Sequence, residues 1–337
     1  MLSFANWSVL TVDFLIILYL ALGGVTFAAL LHLVNAKWRF DVRFLTVSFF
    51  SLYPLAFILL IILLFGEKLT FPWIGSTEPM PFWNNFTFLA IREIVGFLVV
   101  GVLFGFFIKL QHKEEESPEN KQNFRNIALL IPAAYVLFGT MVAWDFEMTL
   151  LPNWESSIYP MYFFVSNFGM FLSFTVTLIY FLNKSNSLVK PINEYVYNYF
   201  AQIMLAFTIL WVYTFFAQYL IIWYGNLPEE TNRLFHMQYG SYGTLFWTFF
   251  VMKFVLPFSL LAFPFTRHTP NMILFVASSI MIGTWIERYT WISATYSSSH
   301  APITPLFDIG VTAVIFAIAF TIVRMTMKKY NLIKSYT

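Results

Sequence analysis

Lys253 lies in the apolar run VMKFVLPF, roughly ten residues from either end, which as helix is ~15 Å of rise each way. From that depth an ammonium group cannot snorkel fully to water. It is therefore either uncharged or held by a buried partner, and both states suit a proton relay. The plainer alternative is an anchor bonded to a backbone carbonyl beside Pro257. Two further couples stand at membrane depth, Arg92–Glu93 in the third apolar run and Glu287–Arg288 near one end of the eighth. Neighbours on a helix point ~100° apart, so the members of a couple are expected to face different partners. The expected cross-helix pair is Arg92 with Glu287. An ionisable group in hydrocarbon costs about 2.5–3.5 kcal/mol on insertion scales, which makes each a candidate functional group. Structural ion pairing between helices is the competing explanation. Glu93, Lys253 and Glu287 are thus the candidate relay groups, and Arg92 and Arg288 the candidates for closing ion pairs and tuning them. Asp145, Glu147, Glu229 and Glu230, at the ends of apolar runs, are read as outer-face acids that dock extramembrane subunits or carry protons away.

The chain that must position these groups has 337 residues, 59% hydrophobic and only 11% charged. Soluble domains carry about a quarter charged residues, so this one is built for lipid. Its 42 Phe exceed what two interfacial belts need and must fill lipid-facing and inter-helix volume. The absence of Cys excludes disulfides, thiolate metal sites and cysteine-bound iron–sulfur clusters from this polypeptide. Nine apolar segments reach the ~20 residues of a span, near 10–34, 44–66, 86–110, 126–146, 158–183, 194–224, 241–263, 272–292 and 307–327. The first is too long for a signal-peptide core and reads as a span.

The loops alternate in charge. One set holds Lys37, Arg39, Arg43, then Lys109, Lys113, Lys121, Arg125, then Lys184, Lys190, then Arg267, and last Arg324, Lys328, Lys329 and Lys334. The other set holds only Lys68 and Arg233, and most of the acids lie on or near that face, among them Asp13, Glu67, Glu78, Glu155 and Asp308. Positive-inside bias then predicts an all-α integral membrane protein with its N-terminus outside and its C-terminus in the cytoplasm. A negative outer face suits a basic partner or the exit of protons, although depletion of Lys and Arg alone also produces one. The loop at residues 112–125 is a flexible connector. No pair of broken helices stands at matching positions in two halves, which lowers the case for an alternating-access transporter.

Trp211–Arg233 carries the chain from hydrocarbon into water. Thr214 and Gln218 form a polar stripe, Trp223 and Tyr224 mark the headgroup level, and Gly225 is expected to close the helix. Asn226 with Glu229 reads as the cap of a short surface helix, with Pro228 in its first turn. The histidines do not face one another inside the membrane, so haem ligation by two of them is not expected, and no metal-ligand cluster or phosphate-cradling loop is visible.

Five segments together resemble one family: LALGGVTFAALLHL (20–33), WDFEMTLLPNWESSIYPMYFF (144–164), FAQYLIIWYGNLPEET (216–231), KFVLPFSLL (253–261) and TWIERYTWI (284–292). They resemble the polysulfide-reductase-type (NrfD-like) membrane subunits of alternative complex III, a quinol:electron-acceptor oxidoreductase, and are most similar to the ActF type. The resemblance implies two four-helix bundles, here 1–146 and 158–292, with a peripheral helix and tail at 307–337. It implies no cofactor on this chain. It also implies a sister NrfD-like subunit alongside, and a molybdopterin-type iron–sulfur subunit and multihaem cytochrome c subunits on the outer face. The setting would be a bacterial inner membrane, with menaquinol or ubiquinol oxidised near the outer side and no nucleic acid involved. Members usually have ten helices, and have His where Lys253 stands and often Asp where Glu287 stands. The lysine keeps a protonatable group but moves the reference pKa from ~6.5 to ~10.4. These departures favour proton conduction and scaffolding over direct quinol oxidation by this chain. A quinol site between helices at the outer face, a solute transporter and an inert anchor are the rival readings.

Overall fold

A computed structural model describes residues 4–76, 80–113, 117–295 and 305–334. Among these, nine helices are long and apolar enough to cross a membrane. In chain order they are α1 (Phe4–Leu33), α2 (Arg39–Phe65), α3 (Phe86–Gln111), α4 (Pro118–Phe146), α5 (Tyr159–Lys184) and α6 (Tyr195–Gly225). A shorter surface helix α7 (Pro228–Tyr239) follows, then α8 (Gly243–Leu261), α9 (Pro270–Ser293) and α10 (Pro305–Lys329). All nine overlie the apolar runs, with α1, α2 and α4 beginning more than a turn earlier, at Phe4, Arg39 and Pro118.

The packing centre is α1. Its most apolar window is 94% buried, against 17% for α10, so α1 runs through the middle and α10 on the outside. It packs on α2, α4, α5, α9 and α10, touching helices from both expected halves. Close approach there depends on Gly24, where a Cβ would sit 2.1 Å from the Thr46 carbonyl oxygen of α2. Between membrane helices small residues of this kind let backbones meet. Around α1, Phe14, Phe27, Phe97, Phe146, Phe168 and Phe171 interlock as ring contacts.

On α3 the sequence periodicity separates lipid from protein. Ile91, Val95, Leu98, Val102 and Phe106 recur at helical spacing and are exposed, whereas Glu93, Phe97, Val100 and Phe104 are buried. The charged couple is thereby turned away from lipid.

The two sets of loops gather at opposite ends. At one end Trp7 bonds Thr70 at 2.8 Å, Ser8 meets Ser293 at 2.5 Å, Asn84 bonds the Thr149 carbonyl at 3.1 Å, and Arg233 reaches the Met148 carbonyl at 3.2 Å. At the other, Lys190 pairs with Asp41 at 3.3 Å, and His112 packs between Phe44 and Tyr330. The first is the acid-rich end and the second the basic end.

α6 ends one residue later than the sequence suggests. Asn226, not Gly225, takes the left-handed conformation, at φ 48°. Asn tolerates that region, and spent there it does not cap α7, whose N-cap is Leu227 with no side-chain bond. Pro228 does occupy the first turn of α7.

Candidate functional site

Lys253 enters the interior through a defect in its own helix. Residues Val251–Val255 of α8 form a π turn, and Pro257 stands immediately beyond. Proline has no N–H and its ring crowds the carbonyl four residues back, here that of Lys253 itself. Widening the turn relieves the crowding, and such π turns recur at functional sites. In an i→i+5 turn the Met252 carbonyl would look to residue 257 for a donor. Ser279 of α9 supplies one instead, its Oγ donating to that carbonyl at 2.7 Å. Gly283, one turn further on α9, leaves room for the lysine stem: a Cβ there would lie 2.8 Å from Lys253 Cγ.

The lysine Nζ donates to Ser166 Oγ at 2.6 Å and forms an ion pair with Glu287 Oε2. Glu287 is fully buried and accepts from four side chains. Ser166 Oγ (2.5 Å) and Lys253 reach Oε2, while Trp211 Nε1 (2.8 Å) and the Tyr162 hydroxyl reach Oε1. A cavity of about 20 Å³ lies against Lys253, Ser166 and Thr208, large enough for one water molecule.

Arg288, also fully buried, joins this pair to a second carboxylate. Its Nη2 is 3.3 Å from Glu287 Oε2 and its Nη1 donates to Glu147 Oε2 at 2.5 Å. The same Glu147 oxygen accepts from the Tyr159 hydroxyl. The guanidinium stands 4.8 Å from the centre of the Phe163 ring. Lys253, Glu287, Arg288 and Glu147, drawn from α8, α9 and the end of α4, therefore form one continuous buried chain of charges, two of each sign. Arg233 of α7 closes it at the acid-rich end. It donates to the backbone carbonyls of Glu147 (2.9 Å) and Trp291 (3.2 Å) and packs on the Trp154 ring at 4.4 Å.

The second cluster joins α3 to α4. Arg92 grips Asp145 with two nitrogens, Nε at 2.7 Å from Oδ2 and Nη2 on Oδ1, and its third donates to the Trp83 carbonyl at 3.0 Å. Trp83 Nε1 adds a bond to Asp145 at 2.6 Å, and the guanidinium lies 3.9 Å from the Trp83 ring centre. Glu93, fully buried, adjoins the same Asp145 carboxylate.

Several expectations are thereby corrected. The partner of Arg92 is Asp145 and not Glu287, which Lys253 occupies. Arg92 and Glu93 meet the same carboxylate, although they are neighbours on α3. Asp145 and Glu147 are not surface acids: both are 0% exposed and engaged by arginines, so neither is free to dock a subunit. Glu230 stays part-exposed in the first turn of α7. The Glu229 side chain and Glu78 lie outside the described residues.

Sequence reasoning missed Tyr159, Tyr162, Ser166, Trp211 and Arg233. A signal existed for two of them, since Tyr162 and Ser166 are four apart on one face of α5. Arg233 was the odd cation in an acid-rich loop. Among the described residues no group of three or more His, Asp or Glu side chains is placed to hold a metal ion. Compared with known proteins, the chain matches no protein-family model and no curated protein.

Proposed function

We propose that this chain is a membrane subunit of a respiratory quinol-oxidising complex of the alternative complex III kind, acting as proton conduit and scaffold. One observation carries the reading: Lys253, Glu287, Arg288 and Glu147 form a continuous chain of ion pairs at membrane depth, assembled from three helices. Four buried charges are costly to insert, and simple helix packing does not need them. The positive-inside argument favours the acid-rich end outside, and the family resemblance implies a bacterial inner membrane. There the sister NrfD-like subunit, the iron–sulfur subunit and the multihaem cytochrome c subunits would sit, and electrons from quinol would pass through them.

The proton step uses residues of this chain alone. Lys253 Nζ gives a proton to Glu287 Oε2, directly or through Ser166 Oγ, leaving a neutral amine and a neutral acid in place of an ion pair. Arg288 stays charged and holds both carboxylates in line. Glu93 is a carboxyl beyond the paired set, since Arg92 already serves Asp145. A proton can be exchanged there without breaking an ion pair.

The test is the assembled complex in proteoliposomes, with electron flow and lumenal acidification measured together. Lys253→Met and Glu287→Gln are expected to lower protons moved per electron by at least roughly tenfold while quinol oxidation persists. Unchanged proton movement in both variants overturns the conduit.

One observation favours a second reading, in which the chain itself binds quinol. A cavity of about 360 Å³ opens between α1, α4 and α5, lined by Tyr19, Tyr135, Gly139, Pro160, Phe163 and Phe164. The Tyr135 hydroxyl there is buried without a hydrogen-bond partner, whereas that of Tyr19 is spent on the Gly139 carbonyl at 3.1 Å. An apolar cavity with one idle donor suits an aromatic amphiphile bearing an oxygen. Loss of quinol oxidation in Tyr135→Phe, with the complex intact, favours this reading.

A further inference from the structure

We propose that the basic end carries a site for one anionic glycerophospholipid, in the groove between α5 and α10. The groove encloses about 290 Å³. Its walls are apolar, Leu178, Phe181 and Leu182 from α5 and Phe320, Val323 and Met327 from α10. Its mouth is polar and cationic, with Arg324, Lys328 and Lys334 beside the hydroxyls of Ser185 and Ser187. The geometry is that of a lipid: a hydrocarbon trough at membrane depth opening onto donors at headgroup level.

The position of Lys334 is fixed and not incidental. After α10 the chain reverses at Asn331, which is left-handed at φ 55°. It then lies antiparallel to the segment after α5, with Val189 N donating to the Leu332 carbonyl at 3.0 Å and Lys334 N to the Ser187 carbonyl at 2.7 Å. Lys334 Nζ donates to Asn186 Oδ1 at 3.1 Å, between the two serines. Among the described residues no carboxylate lines the groove. Asp41, which meets the same loop from α2, is taken up by Lys190 at 3.3 Å and Tyr195 at 2.6 Å. Three cations facing two hydroxyls with no acid among them need an anion, and the trough behind them selects one that carries an acyl chain. A zwitterionic lipid would bring its own cation into a crowd of three. The phosphate is therefore assigned between Arg324, Lys328 and Lys334, with one acyl chain between α5 and α10. There it fills the gap between α5 and α10, beside the contacts that α10 makes with α1 and α2.

The experiment uses the purified protein in its native assembly, in nanodiscs of phosphatidylcholine with or without phosphatidylglycerol. Retained lipid is counted by native mass spectrometry after release, and the thermal midpoint is followed. The expected result is selective retention of phosphatidylglycerol, a higher midpoint in its presence, and weakening of both by salt. Combining Arg324→Gln, Lys328→Gln and Lys334→Gln should reduce that retention at least roughly tenfold while leaving phosphatidylcholine unaffected. Val323→Trp, which fills the trough and keeps the cations, should displace the lipid as well. Equal retention of the two lipids by the unaltered protein, or undiminished retention in both variants, overturns the site. So does a map of the native assembly in which a protein helix occupies the groove.

Discussion

Glu287 accepts hydrogen bonds from Tyr162, Ser166, Trp211 and Lys253, two on each oxygen. A carboxylate can satisfy all four, whereas an amide turns one oxygen into an NH2 that meets donors head-on. Glu287→Gln therefore loses the charge partner of Lys253 and creates a clash of donors whichever way the amide turns. The expected cost is about 3–5 kcal/mol, the range for stranding one member of a buried pair. Lys253→Met strands the carboxylate, although Tyr162, Ser166, Trp211 and Arg288 remain to hold it, so its cost should be smaller. Because the two side chains are one interaction, Lys253→Met combined with Glu287→Gln should cost less than the singles summed. A double-mutant cycle on equilibrium unfolding in detergent reads the coupling directly. Strict additivity would mean that the pair is not formed in the folded protein.

At the scale of the helix, the lysine is placed by three neighbours that each do something simple: Pro257 widens the turn, Ser279 satisfies the stranded carbonyl, and Gly283 clears the space. Gly283→Ala puts a methyl group 2.8 Å from Lys253 Cγ and 3.0 Å from Met252 Cβ. It should push the ammonium away from Glu287, lowering both the thermal midpoint and proton movement. Gly105→Ala is the matched comparison, since nothing lies within 4 Å of a Cβ there. With only helix propensity at stake it should be neutral or stabilise by about 0.5–1 kcal/mol. If the two changes behave alike, the room at Gly283 is not what positions Lys253. The spans themselves were legible in the sequence, because length and hydropathy set them without help from tertiary contacts. The partner of Lys253 was not, because a π turn changes the helical phase and the usual spacing rules assume it constant. Arg92 was misassigned because Asp145, its partner, looked like a surface acid at the end of a span and so did not read as a buried partner. Asp145 and Glu147 looked like surface acids since they end a span, yet Trp83 and Arg233 fold over them from segments distant in sequence, and Tyr159 from the start of the next helix.

For the whole molecule, charge segregation was readable before any coordinate, and the loops do collect at two ends as their charges suggest. That α1 would be the packing centre was not readable, since a helix apolar all round can face lipid or protein equally. Which end meets the cytoplasm decides whether the outer partners proposed above have a surface to sit on, and the chain offers a clean way to ask. It contains no Cys, so a single introduced thiol reports alone. Glu230→Cys lies on α7 at the acid-rich end and Lys190→Cys in the loop after α5 at the basic end, and neither position is buried. Insertion follows the bias in Lys and Arg, and every loop of the basic set carries at least one of them while the opposite set holds only Lys68 and Arg233. An impermeant maleimide applied to intact spheroplasts should therefore modify Glu230→Cys and leave Lys190→Cys untouched until the membrane is opened. The reverse pattern would turn the molecule over. It would set Glu147 and Arg233 toward the cytoplasm, and with them the surface on which extracytoplasmic redox subunits are proposed to stand.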